Sequence, residues 1–324
     1  MSLIRVGTRG SAHAVAQTTA VANRIATASG AEVQIITITT HGDTSREPLS
    51  SLGGTGVFAS ALRESLLADE CDVVVHSFKD LPTAAYPGLR IGATPKRADA
   101  RDVLCARDGL TLTSLPQGAR VGTGSPRRAA QLRSLRPDLD VVDIRGNVET
   151  RLNRVAEGDL DAVVLAAAGL SRLALLESVD GEYLELSDWP TAPGQGALAL
   201  EVRDGKLDRA LTAALTTINH STSQATVLAE RLVLARLEAG CAAPIGAMAV
   251  IDDGLLFLTA TVYSPDGSRS VVSSHAATPD SHSVAHLAEA AQDVSDRVSR
   301  DLLAGASAVA RAVGRPDERN RKGY

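Results

Sequence analysis

The sequence predicts an α/β protein: two α/β domains with mixed sheets, followed by a smaller C-terminal α+β domain. Three observations carry this. Short β-branched runs alternate with longer helical patterns over the first two thirds of the chain, Pro and Gly punctuate two places where one block gives way to the next, and after about Ile218 the alternation stops. A chain of 324 residues with 44% hydrophobic residues is long enough for two or three cores.

The runs Leu3–Val6, Val33–Thr39 and Val73–Val75 read as strands of the first block. Arg120–Gly122, Asp140–Ile144 and Ala162–Leu165 read as strands of the second. Helical stretches between them supply the crossovers that parallel neighbours need. The first block ends near Pro95-Lys96-Arg97 and the second at Pro193-Gly194-Gln195-Gly196. The expected division is therefore 1–97 with 198–217 as domain 1, 98–197 as domain 2, and 218–313 as domain 3. In domain 3 a helix is expected from a Ser223 N-cap through AERLVLARLEA to Gly240. LFLTATVYSPDGSRSVVSSHA then reads as two strands around a Pro-Asp-Gly turn, with a helix from His286 onwards. The tail over 314–324 is charged, has no apolar period and reads as disordered.

Charge narrows the function. With 33 basic against 38 acidic residues, a net charge of −5 and a pI near 5.8, the chain is a poor general binder of nucleic acid or anionic membranes. Any bound anion must meet a local cationic cluster. The longest stretch without formal charge, Ala210–Ala229, is interrupted by Asn219, His220 and Gln224, so no membrane span is expected. The N-terminus reaches Arg5 before any apolar run of signal length. Cys71, Cys105 and Cys241 lie far apart with no metal-type spacing, and read as reduced thiols of a cytoplasmic protein.

Two segments of the second block share one design: VGTGSPRR (Val121–Arg128) and DIRGNVETR (Asp143–Arg151). In each a strand ends, a Gly-containing turn follows, and a helix begins with Arg at its mouth, where free N–H groups and the helix dipole favour anions. Ser125 and Pro126 fit N-cap and N1. Any one of Arg127, Arg128, Arg145 and Arg151 could be a surface ion-pair partner of Asp138, Asp140, Asp143 or Glu149. Two matched clusters favour a shared carboxylate or phosphate ligand. The first block offers GTRGS (Gly7–Ser11) after its first strand and HSFKD (His76–Asp80) after VVV. Asp80 would be a lone carboxylate among cations, able to stabilise a positive intermediate. His76 reads as structural, and SSLGGTG (Ser50–Gly56) as a mobile loop without the Lys of a phosphate-binding loop. Cys71 and Cys105 fall in apolar runs and read as buried hydrophobes. Cys241 follows the helix in AGCAAPIG; its surroundings fit a structural thiol more readily than a turnover nucleophile, with a stable attachment point as the alternative.

Taken in order, TRGSAHAVAQ (Thr8–Gln17), HGD (His41–Asp43), GGTG (Gly53–Gly56), VHSFKDLPT (Val75–Thr83), GTGSPRR, RGNVETRL, AAAGLSRL (Ala166–Leu173), PGQGAL (Pro193–Leu198) and ERLVLARLEAGCAAPIG (Glu230–Gly246) resemble the porphobilinogen deaminase (hydroxymethylbilane synthase) family. The resemblance covers nearly the whole chain apart from the tail. It implies two periplasmic-binding-protein-like lobes crossed twice by the chain, and a third domain carrying a dipyrromethane cofactor in thioether linkage to Cys241. It implies a transferase of tetrapyrrole and haem biosynthesis, working as a cytoplasmic monomer. Porphobilinogen loses ammonia, four units join head to tail, and hydrolysis releases linear hydroxymethylbilane. Carried over by position, Asp80 is catalytic. Lys79, Asp80, Thr123, Ser125, Arg127, Arg128, Arg145 and Gly146 hold the cofactor; Arg9, Ser11, Gln17, Arg145, Arg151, Arg172 and Gln195 hold substrate.

This sequence departs from the family pattern at several places. Thr55 stands where Lys is usual, Gly124 where Ser is usual, and Ala12 and His13 where Pro and Leu are commoner; only packing effects are expected of the last two. A solute-binding or sensor protein with the same two lobes is the competing expectation, and the Cys241 loop and third domain are what such a receptor would not need.

Overall fold

The computed structural model describes residues 2–39, 57–239 and 243–313. In the first lobe β1 (Leu3–Arg9), α1 (Ala12–Ser29), β2 (Glu32–Ile38), α2 (Val57–Leu67), β3 (Val73–Ser77) and β4 (Leu89–Ala93) precede the first crossing. The second lobe comprises β5 (Asp102–Ala106), β6 (Arg120–Gly122), α3 (Pro126–Leu135), β7 (Asp140–Val142), α4 (Val148–Ala156), β8 (Ala162–Ala166), α5 (Ala167–Arg172) and β9 (Gly181–Leu184). The chain then returns through β10 (Leu198–Arg203) and α6 (Arg209–Ile218) to the first lobe, and continues into α7 (Ser221–Arg236), β11 (Ile245–Asp252), β12 (Leu255–Tyr263), β13 (Ser270–Ala277) and α8 (Val284–Val313).

The two large sheets share a plan. One runs β2-β1-β3-β10-β4 and the other β7-β6-β8-β5-β9, and in each the first three strands are parallel while the fourth is antiparallel to both neighbours. That fourth strand is the first one entered after a crossing, β10 on return and β5 on departure. Arriving from the opposite lobe, the chain enters at the carboxyl edge of the parallel strands, so it must run against them. Both crossings and the ends of β1, β3, β6 and β8 therefore gather at one edge of each sheet, the place where open α/β sheets bind ligands. The result is a pair of α/β lobes with mixed sheets, as the sequence predicts.

Apolar alternation anchors each lobe. Ile4, Val6, Val73, Val75, Leu200 and Val202 pack under α1 and α6 in the first, and Leu104, Val121, Leu132, Val164 and Trp189 form the core of the second. Cys71 and Cys105 are free and buried, as expected, and burial pushes the Cys105 thiol up to about 12. The third unit is an antiparallel sheet β11-β12-β13 packed on α7 and α8. Its first helix starts three residues earlier than expected: His220 is the N-cap, its ring nitrogen 3.2 Å from the Ser223 backbone N–H. The Ser223 hydroxyl instead accepts from the backbone N–H of Arg97 in the first crossing, at 2.9 Å. Gly240, the GGTG loop with Thr55, the HGD motif and the 314–324 tail lie outside the described residues.

Candidate active site

At the edge of the first lobe, β1 delivers Arg9 and Ser11, and the Ser11 hydroxyl caps α1 by accepting from the Ala14 N–H at 3.3 Å. β3 runs into a single 3₁₀ turn, Phe78–Asp80, which projects Lys79 and the exposed Asp80. That turn is held from the third unit. Arg231 of α7 donates to the carbonyls of Phe78 (3.1 Å), Leu81 (2.7 Å) and Pro82 (2.6 Å), and its guanidinium lies 5.1 Å from the centre of the Phe78 ring. Arg9, Ser11, Gln17, Ser77 and Asp80 line a cavity of ≈ 420 Å³ that is open to solvent. Lys79, Gly169 and Arg172 line an adjoining one of ≈ 270 Å³, and His13 and Ser77 border both.

The second lobe presents a buried ionic knot. Asp102, fully buried at the start of β5, accepts from Arg127 Nη2 (2.8 Å), Arg128 Nε (3.1 Å) and Nη2 (2.6 Å), Trp189 Nε1 (2.8 Å) and Gln195 Nε2 (2.8 Å). Burial would push this carboxyl up; Arg128 and Arg127 win and hold it far below the usual carboxylate range. Arg127 also donates to Gln131 Oε1 (2.6 Å) and the Pro190 carbonyl (3.1 Å), and Arg128 to the Val164 carbonyl (2.8 Å). Neither pairs with the acidic residues close by in sequence. Asp102, the residue that organises both, is absent from the sequence-based set.

Gln195 sits behind the cleft wall, only 1% exposed. Its Nε2 also donates to the Ala100 carbonyl (2.8 Å), while its Oε1 lies 3.4 Å from Lys79 Nζ. It therefore links Lys79 to Asp102 from behind the cleft wall. Gly194 and Gly196 flank it with φ of +77° and +83°, and a Cβ on either would come within 2.9 Å of Phe78 or 2.7 Å of the Ala98 carbonyl. Fully buried Glu230 of α7 closes the arrangement. It pairs with Arg97 (2.6 and 3.0 Å) and accepts from the N–H groups of Gly194 (2.7 Å) and Ala249 (2.9 Å), tying the third unit to both crossings.

The helix mouths follow the sequence reading. Ser125 is the N-cap of α3 with Pro126 at its first turn, and Asn147 caps α4 by accepting from Thr150 N–H at 2.8 Å. Thr123 is buried and its hydroxyl accepts from the Ser125 N–H at 3.2 Å, so it shapes the turn. Gly124 is tightly placed: a Cβ there would lie 2.5 Å from the Ile144 carbonyl oxygen, so a larger residue would need the turn to shift. Arg145 is exposed, and Arg151 donates to the Gly146 carbonyl at 2.9 Å. Burial, then Arg128 and Arg145, push Arg151 down, so these three cations share one region. Arg172 reaches across the lobes to Gln17 Oε1 (3.3 Å) and the Gly196 carbonyl (2.9 Å), and burial lowers it to about 10.

Lys79 is shifted into the range of ordinary pH titrations. Burial, then the neighbouring Arg128, outweigh Asp80 and Asp102 and push it down to about 8. Its charge is present below that pH and lost above it, so affinity of the cleft for a carboxylate falls as pH rises through about 8. A carboxylate bound beside it moves the transition upward. A Lys79→Met variant should lose this step in a pH titration of ligand affinity, and a step that persists would assign it to another group.

Among the described residues no cluster of His, Cys, Asp and Glu could hold a metal ion, and no helix is long and apolar enough to cross a membrane. Cys241 lies outside the described residues, three positions beyond Glu238 and past the end of α7.

Fold and site together define a two-lobed α/β protein whose interlobe cleft gathers cations for a multiply anionic small molecule, with a third unit bracing the turn that carries Asp80. Comparison with known proteins makes this specific. The family model "Porphobilinogen deaminase, dipyromethane cofactor binding domain" matches residues 4–211, and "Porphobilinogen deaminase, C-terminal domain" matches residues 224–303. The chain belongs to the porphobilinogen deaminase family, transferases of tetrapyrrole synthesis, and contains its dipyrromethane cofactor-binding domain. It is 65% identical over 308 residues to the porphobilinogen deaminase of Leifsonia xyli, covering 94% of this chain and 93% of that one. With the porphobilinogen deaminase of Micrococcus luteus it shares 51% identity over 303 residues, covering 83% and 80%. Among solved structures, the methionine-binding protein MetQ aligns with 67% of this chain and 89% of its own, at 11% identity and a TM-score of 0.44.

Proposed function

We propose that this chain is a hydroxymethylbilane synthase that joins four porphobilinogen molecules head to tail with release of ammonia, on a dipyrromethane held by a thioether to Cys241. The observation that carries the reading is Asp80, an exposed carboxylate in one cavity with Arg9, Ser11 and Gln17, beside Lys79 in the cavity it adjoins. The residues fit the cofactor: acetate and propionate side chains need several cations, and Lys79, Arg128, Arg145, Arg151 and Arg172 supply them around the strand ends. When bound, the dipyrromethane supplies the pyrrole end onto which new units are added.

In this scheme Lys79, Ser125 and Arg128 hold cofactor carboxylates, with Thr123 and Gly146 shaping the turns. Arg128 uses three of its five N–H groups on Asp102 and Val164, leaving donors for a ligand. Arg127 serves mainly to hold the Asp102 knot. Arg9, Ser11, Gln17, Arg145, Arg151 and Arg172 receive the carboxylates of incoming and accumulating units. As ammonia departs, the positive charge of the substrate's ammonium passes to its pyrrole ring, and Asp80 stabilises that charge while accepting from the ring N–H. Domain 1 (1–97 with 198–217) thus supplies the acid, domain 2 (98–197) most of the anion grip, and domain 3 (218–313) the attachment point. The working unit is a cytoplasmic monomer with porphobilinogen as its partner and neither nucleic acid nor membrane.

Asp80→Asn should keep the covalent cofactor and lose turnover by about 10²–10³, the effect of removing one preorganised electrostatic group. Steady-state ammonia or product release checks it alongside intact mass. An unchanged rate removes Asp80 from the chemistry.

A further inference from the structure

His13 stands on the first turn of α1 and borders both cavities, its ring edge 3.8 Å from where a Cβ on Gly169 of α5 would lie. Its Nδ1 is buried and has no hydrogen-bond partner. Leaving a buried donor or acceptor unmet is costly, and nothing in the scheme above uses this atom. The charged and titratable groups around it, among the described residues, are Arg9 at the end of β1, His76 on β3, Lys79 and Asp80 on the turn after β3, and Arg172 on α5. Three of these are cations, which only donate, and Asp80 makes no hydrogen bond to the ring nitrogen. Once Nδ1 carries a proton, its acceptor must arrive with a ligand, and a cleft walled by cations draws a carboxylate.

We propose that His13 binds a carboxylate of incoming porphobilinogen through Nδ1, taking up a proton as it does so, and thereby sets substrate affinity. The proposal rests on the deaminase reading. In the empty cleft, burial, then Arg172, Lys79 and Arg9, lower the imidazole to about 4, so it is neutral near pH 7. A carboxylate alongside offsets those cations and favours imidazolium. The proton bound with the ligand makes affinity rise as pH falls below the bound-state pKa, by up to about tenfold per unit. His13 would thus add a cation where the family more often has Leu, and the packing-only expectation for this position gives way to a binding role.

The test is the steady-state kinetics of the cofactor-loaded enzyme and of H13L with porphobilinogen, across a pH range below the Lys79 transition. The ratio of the two KM values cancels titration of the substrate and of Lys79. The expected result is a KM raised about tenfold or more in H13L at the acid end, the size of a lost charge-assisted hydrogen bond, narrowing as pH rises while kcat changes little. H13Q, which keeps a donor but cannot gain a proton, should recover part of the affinity and none of the pH dependence. Equal KM values at every pH, or a raised KM whose ratio is independent of pH, would overturn the role, the second outcome showing that the ring only fills space. A wild-type protein that carries no covalent pyrrole and does not consume porphobilinogen would overturn the deaminase reading and this inference together; an active wild type with an unaltered H13L overturns this inference alone.

Discussion

Replacing Cys241 by Ala should leave a folded protein with no covalently held pyrrole and no turnover. The thioether needs sulfur, and the chain's other two cysteines, Cys71 and Cys105, are sealed in the cores of their lobes at 0% and 4% exposure. The third unit is fixed to the others by Glu230, which bridges Arg97, Gly194 and Ala249, and by Arg231, which grips the Phe78–Pro82 carbonyls. Cys241→Ala should therefore still fold and unfold cooperatively, at a temperature below that of the cofactor-loaded wild type because the bound cofactor stabilises the folded chain, while porphobilinogen consumption falls to background. Normal turnover in this variant would sink the attachment claim.

The second large effect is on stability as well as function. Asp102→Asn removes the charge that offsets Arg127 and Arg128 in a site where the aspartate is 0% exposed, and Asn cannot accept from all five donors. Breaking a buried pair by removing one partner costs about 3–5 kcal/mol, because an uncompensated charge remains inside. Because the Asp102 carboxyl is held well below its unfolded value, this contribution is complete above about pH 4 and fades only in acid, as pH falls through the folded-state value. Gln195 would lose its anchor, and with it the link to Lys79, so cofactor retention should fall too. Denaturant unfolding at neutral pH measures the first effect and intact mass the second. A loss below about 0.5 kcal/mol, the range of ordinary surface changes, would show that the knot is not what holds this edge.

Much of this was legible in the sequence because the relevant signals are local. Short apolar, β-branched runs mark the parallel strands, so β1, β2, β3, β6, β7 and β8 stand out, and the cap Ser125 lies within three residues of what it caps. The antiparallel strands β10 and β11 are weaker signals than β12 and β13, which a Pro-Asp-Gly turn marks. β10 emerges directly from a Pro- and Gly-rich crossing, and β11, IGAMAVID, is rich in Ala and Gly and packs flat under α7. The partners of Arg127 and Arg128 were illegible for another reason: Asp102 lies 25 and 26 residues away and meets them only because β5 enters its sheet antiparallel at the cleft edge. Gln195 read as a cleft residue since its position at the crossing was clear and the direction of its side chain was not. Glu230 and Arg231 could have been flagged, as adjacent charges on a helix whose flanking residues are apolar.

The account's central claim is a covalent one, and the intact mass of the denatured, purified wild-type protein tests it most directly. Denaturation releases every ligand held by hydrogen bonds or charge, however many Arg surround it. The account predicts a mass heavier than the 324-residue chain by two linked pyrrole units, with the excess absent from Cys241→Ala. A mass equal to the bare chain, even after incubation with porphobilinogen, would contradict it and return the cleft to the simpler role of reversible anion binding.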